Sequence, residues 1–162
     1  GLELALRAHG IELERTPVGD RYILELLEQQ DALLGGEPSG HIICRDRTST
    51  GDGTIAALQV LAEMVRTGRS LRELCADVEK CPQMLVNVRL GALQAASVMA
   101  SPAVREQVAA AESELGSEGR VLLRPSGTEP LIRVMVEGVD EAAVDRLAHR
   151  LADGVRHLVA AS

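Results

Sequence analysis

Aromatic side chains are almost missing from this chain: Tyr22 is the single one in 162 residues, with no Trp and no Phe. One ring cannot build the base-stacking platform that single-strand binders use. Lysine is as scarce, Lys80 being the sole one among 17 basic residues, and 24 acidic residues leave a formal charge of −7. A surface of that sign repels polyanions, so nucleic acid is not an expected partner. Cys44, Cys75 and Cys81 are odd in number and lack a C-x-x-C pair. That argues against a disulfide framework and a zinc site, and leaves reduced thiols in or near the core. No apolar run approaches the ~20 residues of a membrane span. Glu3 and Arg7 stand where a signal peptide would carry a basic segment followed by an apolar stretch. The expectation is a cytoplasmic protein without a membrane partner.

With 46% apolar and 25% charged residues, the chain has the composition of an ordinary soluble globular protein. Its length fits one medium domain or two small ones. Periodicity predicts a helix over Leu2–His9 stopped by Gly10, then a half-buried strand over Ile11–Arg15. Asp20 is placed to cap a helix with Ile23, Leu26 and Leu27 on its buried stripe. Gly35 to Gly40 reads as a loop and His41–Cys44 as a strand. Asp52 caps a helix running from Thr54 to Arg66 that stops at Gly68, and Ser70 with Glu73 has capping-box spacing. Around Lys80–Gln83 the pattern changes, which places a boundary between residues 1–81 and 82–162. Beyond it, Met84–Leu90 alternates as a strand and Ser101-Pro102 opens a helix ended by Gly116. Arg120–Arg124 and Leu131–Glu137 read as strands flanking a tight segment, and a helix from about Glu141 to Ala161 closes the chain. The fold class is α/β: a truncated mixed sheet with flanking helices, then an α+β unit with a small antiparallel sheet and two helices.

Two polar constellations stand out. In Arg124-Pro125-Ser126-Gly127-Thr128-Glu129-Pro130, with Arg133 on the next strand, a hairpin would bring Arg124 and Arg133 together. Their guanidinium forks suit a phosphate, Ser126 and Thr128 add hydroxyl donors, and Gly127 lets backbone approach an anion. A turn flanked by solvated arginines accounts for the same residues. In Gly36-Glu37-Pro38-Ser39-Gly40-His41, three hydrogen-bonding side chains within five positions could hold adjacent sugar hydroxyls, or simply line a connecting loop. Asp20-Arg21 and Thr50-Gly51-Asp52 are weaker candidates, since an N-capping Asp explains each as well. Ser39 and His41 show no third group to orient the imidazole, so a hydrolase triad is not expected. The acidic residues do not cluster in sequence, and neither a catalytic residue nor a metal ligand is assigned.

The loop Gly36–His41 resembles the sugar-binding loop of the phosphohexomutases, and Arg124–Pro130 resembles their phosphate-binding loop. Val18–Tyr22, Thr50–Gly53 and Leu131–Gly138 resemble the bacterial members that act on glucosamine phosphate. The resemblance covers the whole chain as the family's C-terminal portion, most of a third domain lacking its first strand plus a fourth. It implies that Glu37, Ser39 and His41, with Asp20 and Arg21, meet the sugar, and that Arg124, Ser126, Gly127, Thr128 and Arg133 hold phosphate. It further implies a phosphoserine and a Mg²⁺ loop on N-terminal domains that this sequence does not contain, so that the chain alone binds no Mg²⁺ and turns nothing over. Pro38 departs from the residues usual between Glu37 and Ser39, while Gly127 favours the glucosamine branch over the glucose and mannose branches. A non-catalytic phosphosugar-binding module and a self-associating module with an open sheet edge are the alternatives.

Overall fold

The computed structural model describes residues 1–91 and 93–161. The chain divides into two compact units, Gly1–Glu79 and Lys80–Ser162.

In the first unit α1 (Leu2–Ala8) precedes α2 (Asp20–Gln29), the strands β1 (Leu34–Gly36) and β2 (Ile42–Cys44), α3 (Gly53–Thr67) and the short α4 (Leu71–Leu74). The two strands form an antiparallel pair in which Gly36 faces Ile42 and Leu34 faces Cys44. Ile23 and Leu27, one turn apart on α2, pack with Ile43 of β2 into a small core. Gly35 makes this possible, because a Cβ there would lie 2.4 Å from the Ile23 side chain and 3.2 Å from Leu27. Asp52 caps α3 by accepting from Thr54 N and Ile55 N, and Gly68 ends it in the left-handed conformation at φ 67°. Ser70 and Glu73 form the expected capping box on α4.

Several local expectations are corrected here. Ile11–Arg15 forms no strand: Ile11 is exposed, and two apolar residues without a pairing neighbour cannot hold a ladder. Gly35 and Gly36 belong to a strand, because glycine serves there for close packing and not for a turn. Asp20 does not cap α2; Gly19 takes that position at φ 134°, and Asp20 is the first helical residue.

The second unit consists of β3 (Gln83–Arg89), α5 (Ala95–Ala100), α6 (Pro102–Leu115), β4 (Gly119–Pro125), β5 (Leu131–Gly138) and α7 (Glu141–Ala160). The sheet is antiparallel with order β3-β5-β4. Val88, Ile132, Val134 and Val136 point to one face and meet Val144, Leu147, Leu151 and Val155 of α7. Those α7 residues recur every three or four positions, so one stripe of the helix supplies the core. Asp140 caps α7 through Ala142 N and Ala143 N. No element is expected over the short α5, yet it buries Val98 completely. The sequence-based fold class, α/β followed by α+β, is the one the chain has. No helix among the described residues is long and apolar enough to cross a membrane.

Two substitutions probe these cores. Leu147 is fully buried, so Leu147→Ala should cost about 2–5 kcal/mol in urea unfolding of the second unit. Gly35→Ala should cost about 1–3 kcal/mol by overpacking against Ile23, read as an earlier loss of the first unit's helical signal.

Candidate functional site

In the first unit the β1–β2 hairpin is closed by backbone bonds from Glu37 N to His41 O at 2.9 Å and from Gly40 N to Glu37 O at 3.0 Å. This tight closure sets the ends of the 37–41 loop side by side. Because α2 rests on Gly35, its first residue reaches the same place, and Asp20 Oδ2 lies 3.0 Å from His41 Nδ1. Asp20, Glu37 and His41 each offer one polar atom, all within 4.8 Å of one another. The Ser39 hydroxyl donates to Glu37 Oε2 at 3.4 Å, not to His41. A third loop closes the group: a Cβ on Gly51 would lie 3.2 Å from both Asp20 Oδ2 and His41 Cβ. Arg21 stands apart, donating from Nε to Glu25 Oε1 at 2.8 Å, with its guanidinium 5.9 Å from the Tyr22 ring centre.

Two sequence expectations change. The His41 imidazole does have an orienting group, and two carboxylates do cluster. Asp20 and His41 are 21 positions apart, a separation that motif spacing cannot register. The Asp20 carboxyl beside Glu37 pushes the Glu37 carboxyl above its usual value, with loss of water adding to the rise, while His41 and Ser39 pull it back. Two carboxylates and an imidazole whose Nδ1 is already engaged do not fit Mg²⁺, which demands near-octahedral oxygen ligands. No step is derived through that ion.

In the second unit Arg124 and Arg133 face each other in the β4–β5 register. Directly opposed residues project to the same side, here the side away from α7. The connecting segment is tied by Ser126 N to Leu131 O at 2.9 Å and Leu131 N to Glu129 O at 2.8 Å. Ser126 Oγ accepts from Arg133 Nη2 and from Thr128 N, each at 3.5 Å. Nothing lies within 4 Å of a Cβ built on Gly127, so its backbone is open to approach. Arg133 Nε is buried without a hydrogen-bond partner among the described residues. Like charges directly opposed destabilise a sheet, and a buried charged donor without an acceptor adds to that cost. An anion at this tip relieves both. Asn87 of β3, opposite Arg133 on its other side, extends the polar row; no motif in the sequence marks it, since only the register reveals it.

Comparisons with known proteins place both units in one family. Residues 1–81 match the phosphoglucomutase/phosphomannomutase α/β/α domain III, and residues 85–154 match the C-terminal domain of the same family. A phosphoglucosamine mutase of Methylococcus capsulatus is 59% identical over 155 residues, covering 96% of this chain and 34% of the relative. One from Halorhodospira halophila is 62% identical over 152 residues, covering 94% and 33%. The chain therefore spans about a third of the length of these curated relatives. A solved phosphoglucomutase/phosphomannomutase family protein of Burkholderia thailandensis superposes with a TM-score of 0.67 over 96% of this chain and 35% of its own; at 20% identity it speaks for the fold. The N-acetylphosphoglucosamine mutase of Aspergillus fumigatus, solved with GlcNAc-6P and magnesium, gives a TM-score of 0.57 at 28% identity over 67% of this chain and 22% of its own.

The carboxylate cluster has a measurable signature. Glu37 should titrate above an ordinary glutamate in carbon-detected NMR, and Asp20→Asn, which removes the neighbouring charge, should move its midpoint down. A Glu37 midpoint indifferent to Asp20→Asn would show that the two carboxyls do not interact.

Proposed function

Because this chain belongs to the phosphoglucomutase/phosphomannomutase family, the phosphohexomutases, we propose that it is the substrate-binding C-terminal part of a mutase interconverting glucosamine 6-phosphate and glucosamine 1-phosphate. Residues 1–81 bind the sugar and residues 82–162 bind the phosphate. The opposed arginines with the orphaned Arg133 Nε carry this reading, since they favour an anion with several acceptor oxygens. Arg124 and Arg133 grip it, with Ser126, Thr128 and the Gly127 backbone as further donors. Glu37 accepts from sugar hydroxyls, with Ser39 and His41 beside it, whereas Arg21 is held by Glu25. The amino sugar is favoured by the names of the relatives and by Gly127.

A cradle of this kind reads phosphate without reading the carbon that bears it. That suits a reaction in which a bisphosphate intermediate must present either end to a phosphoserine. Phosphoserine and Mg²⁺, which offsets charge on the transferring group, belong to the domains that fill the remaining length of the relatives. The same domains are the proposed cover for α3, whose Leu58, Leu61 and Val65 are exposed. A cytoplasmic setting goes with this metabolic role. Should the chain instead associate with itself through a sheet edge, light scattering at high concentration would show a dimer.

Two measurements test the reading. Inorganic phosphate should shift the amide signals of residues 124–133, and Arg124→Ala should weaken its binding by about 1.5–3 kcal/mol; shifts elsewhere, or unchanged affinity, would refute the assignment. Incubated with glucosamine 6-phosphate, Mg²⁺ and glucose 1,6-bisphosphate, the chain alone should form no glucosamine 1-phosphate above the Arg124→Ala level. Product above that level would reveal a catalytic centre within these 162 residues.

A further inference from the structure

The geometry points to Asp20 as a positioning residue that holds His41 in its Nδ1–H tautomer and leaves Nε2 as a hydrogen-bond acceptor for a substrate hydroxyl. The inference rests on the reading of the 37–41 loop as the sugar site, and it gives Asp20 a role behind the imidazole in place of direct contact with the sugar.

The donor inventory carries the first step. A carboxylate offers acceptors only, so the 3.0 Å contact between Asp20 Oδ2 and His41 Nδ1 requires the proton on Nδ1. In the neutral ring the lone pair then lies on Nε2, where the described residues supply no hydrogen-bond partner. Orientation of one ring nitrogen by a carboxylate on the other is a general means of fixing an imidazole.

Three separate segments make the contact durable. Gly35 admits Ile23, which seats the first turn of α2 over the hairpin. Within the hairpin, the Glu37 N to His41 O bond fixes the backbone from which the imidazole projects. Gly51 supplies the third element, because a Cβ there would crowd Asp20 Oδ2 and His41 Cβ together at 3.2 Å. Asp20 Oδ1 is buried without a hydrogen-bond partner among the described residues, and Oδ2 is the oxygen that meets His41.

The consequence is chemical selectivity. Glu37 and a neutral His41 Nε2 are both acceptors, and Ser39 already gives its proton to Glu37. Such a set takes adjacent hydroxyl protons, and it discriminates against a substrate whose hydroxyls are replaced by acceptors.

Long-range proton–nitrogen NMR of the ¹⁵N-labelled chain at about pH 8, above the ordinary imidazole range, reads the tautomer without any ligand. Wild-type His41 should show a protonated Nδ1 and a bare Nε2. Asp20→Ala should release the ring to a mixture of tautomers, while Asp20→Asn, whose amide oxygen can still accept, should largely restore the Nδ1–H form. Gly51→Ala should mimic Asp20→Ala. Unchanged amide signals of Ile23, Leu27 and Ile43 certify the fold in each variant. A wild-type ring protonated on Nε2 would overturn the proposal whatever the variants do, as would an Asp20→Ala ring unchanged in a folded chain. Titration with glucosamine 6-phosphate separates this from the sugar-site reading: Asp20→Ala should bind about tenfold more weakly, and a phosphosugar that perturbs no residue of the 37–41 loop would sink that reading while the tautomer result stood.

Discussion

Ile23 occupies the space that a side chain at residue 35 would need, and the polar geometry of the first unit follows from that one contact. With Ile23, Leu27 and Ile43 forming its small buried cluster among the described residues, this unit has little apolar surface with which to fix a helix on a two-stranded sheet. Close approach at Gly35 compensates by bringing backbone and side chain into dispersion contact. The helix start is then set to within a hydrogen bond's tolerance of the loop, so Asp20 meets His41. Packing on one side of a strand thus determines hydrogen bonding beyond its end.

The second unit is organised on a different footing. There β5 runs between β3 and β4, its even-numbered residues in the core and its odd-numbered ones on the far face. A large apolar stripe on α7 supplies stability, which allows the sheet to carry an unfavourable row of Asn87, Arg133 and Arg124 at its tip. Binding sites often hold such locally costly arrangements, supported by ordinary packing elsewhere. The hairpin register does the aligning, so Arg124 and Arg133 share one face without needing contact between their guanidinium groups.

What the sequence disclosed divides along the same line. The Ser70 capping box, the Asp52 cap, the α7 stripe and the Arg124/Arg133 hairpin are local, depending on residues a few positions apart or on one tight turn. The Ile11–Arg15 segment has the alternation of a strand but no neighbour to pair with, and pairing is a tertiary matter. Gly35-Gly36 reads as a loop in the sequence because glycine marks both turns and close packing, and composition does not distinguish them. Glu37, Ser39 and His41 could be picked out as a group, but the partner of His41 could not, since Asp20 reaches it through the placement of a whole helix.

Tyr22 lies two residues after Asp20, on the first turn of α2, with its ring against Gly19 and partly exposed to solvent. Since no other aromatic side chain exists in the sequence, all near-ultraviolet absorption and emission from aromatic residues arises at this one spot. The scarcity that excludes a stacking platform therefore gives the molecule a built-in optical reporter, and its spectrum records the environment of the α2 start with no background from the rest of the chain.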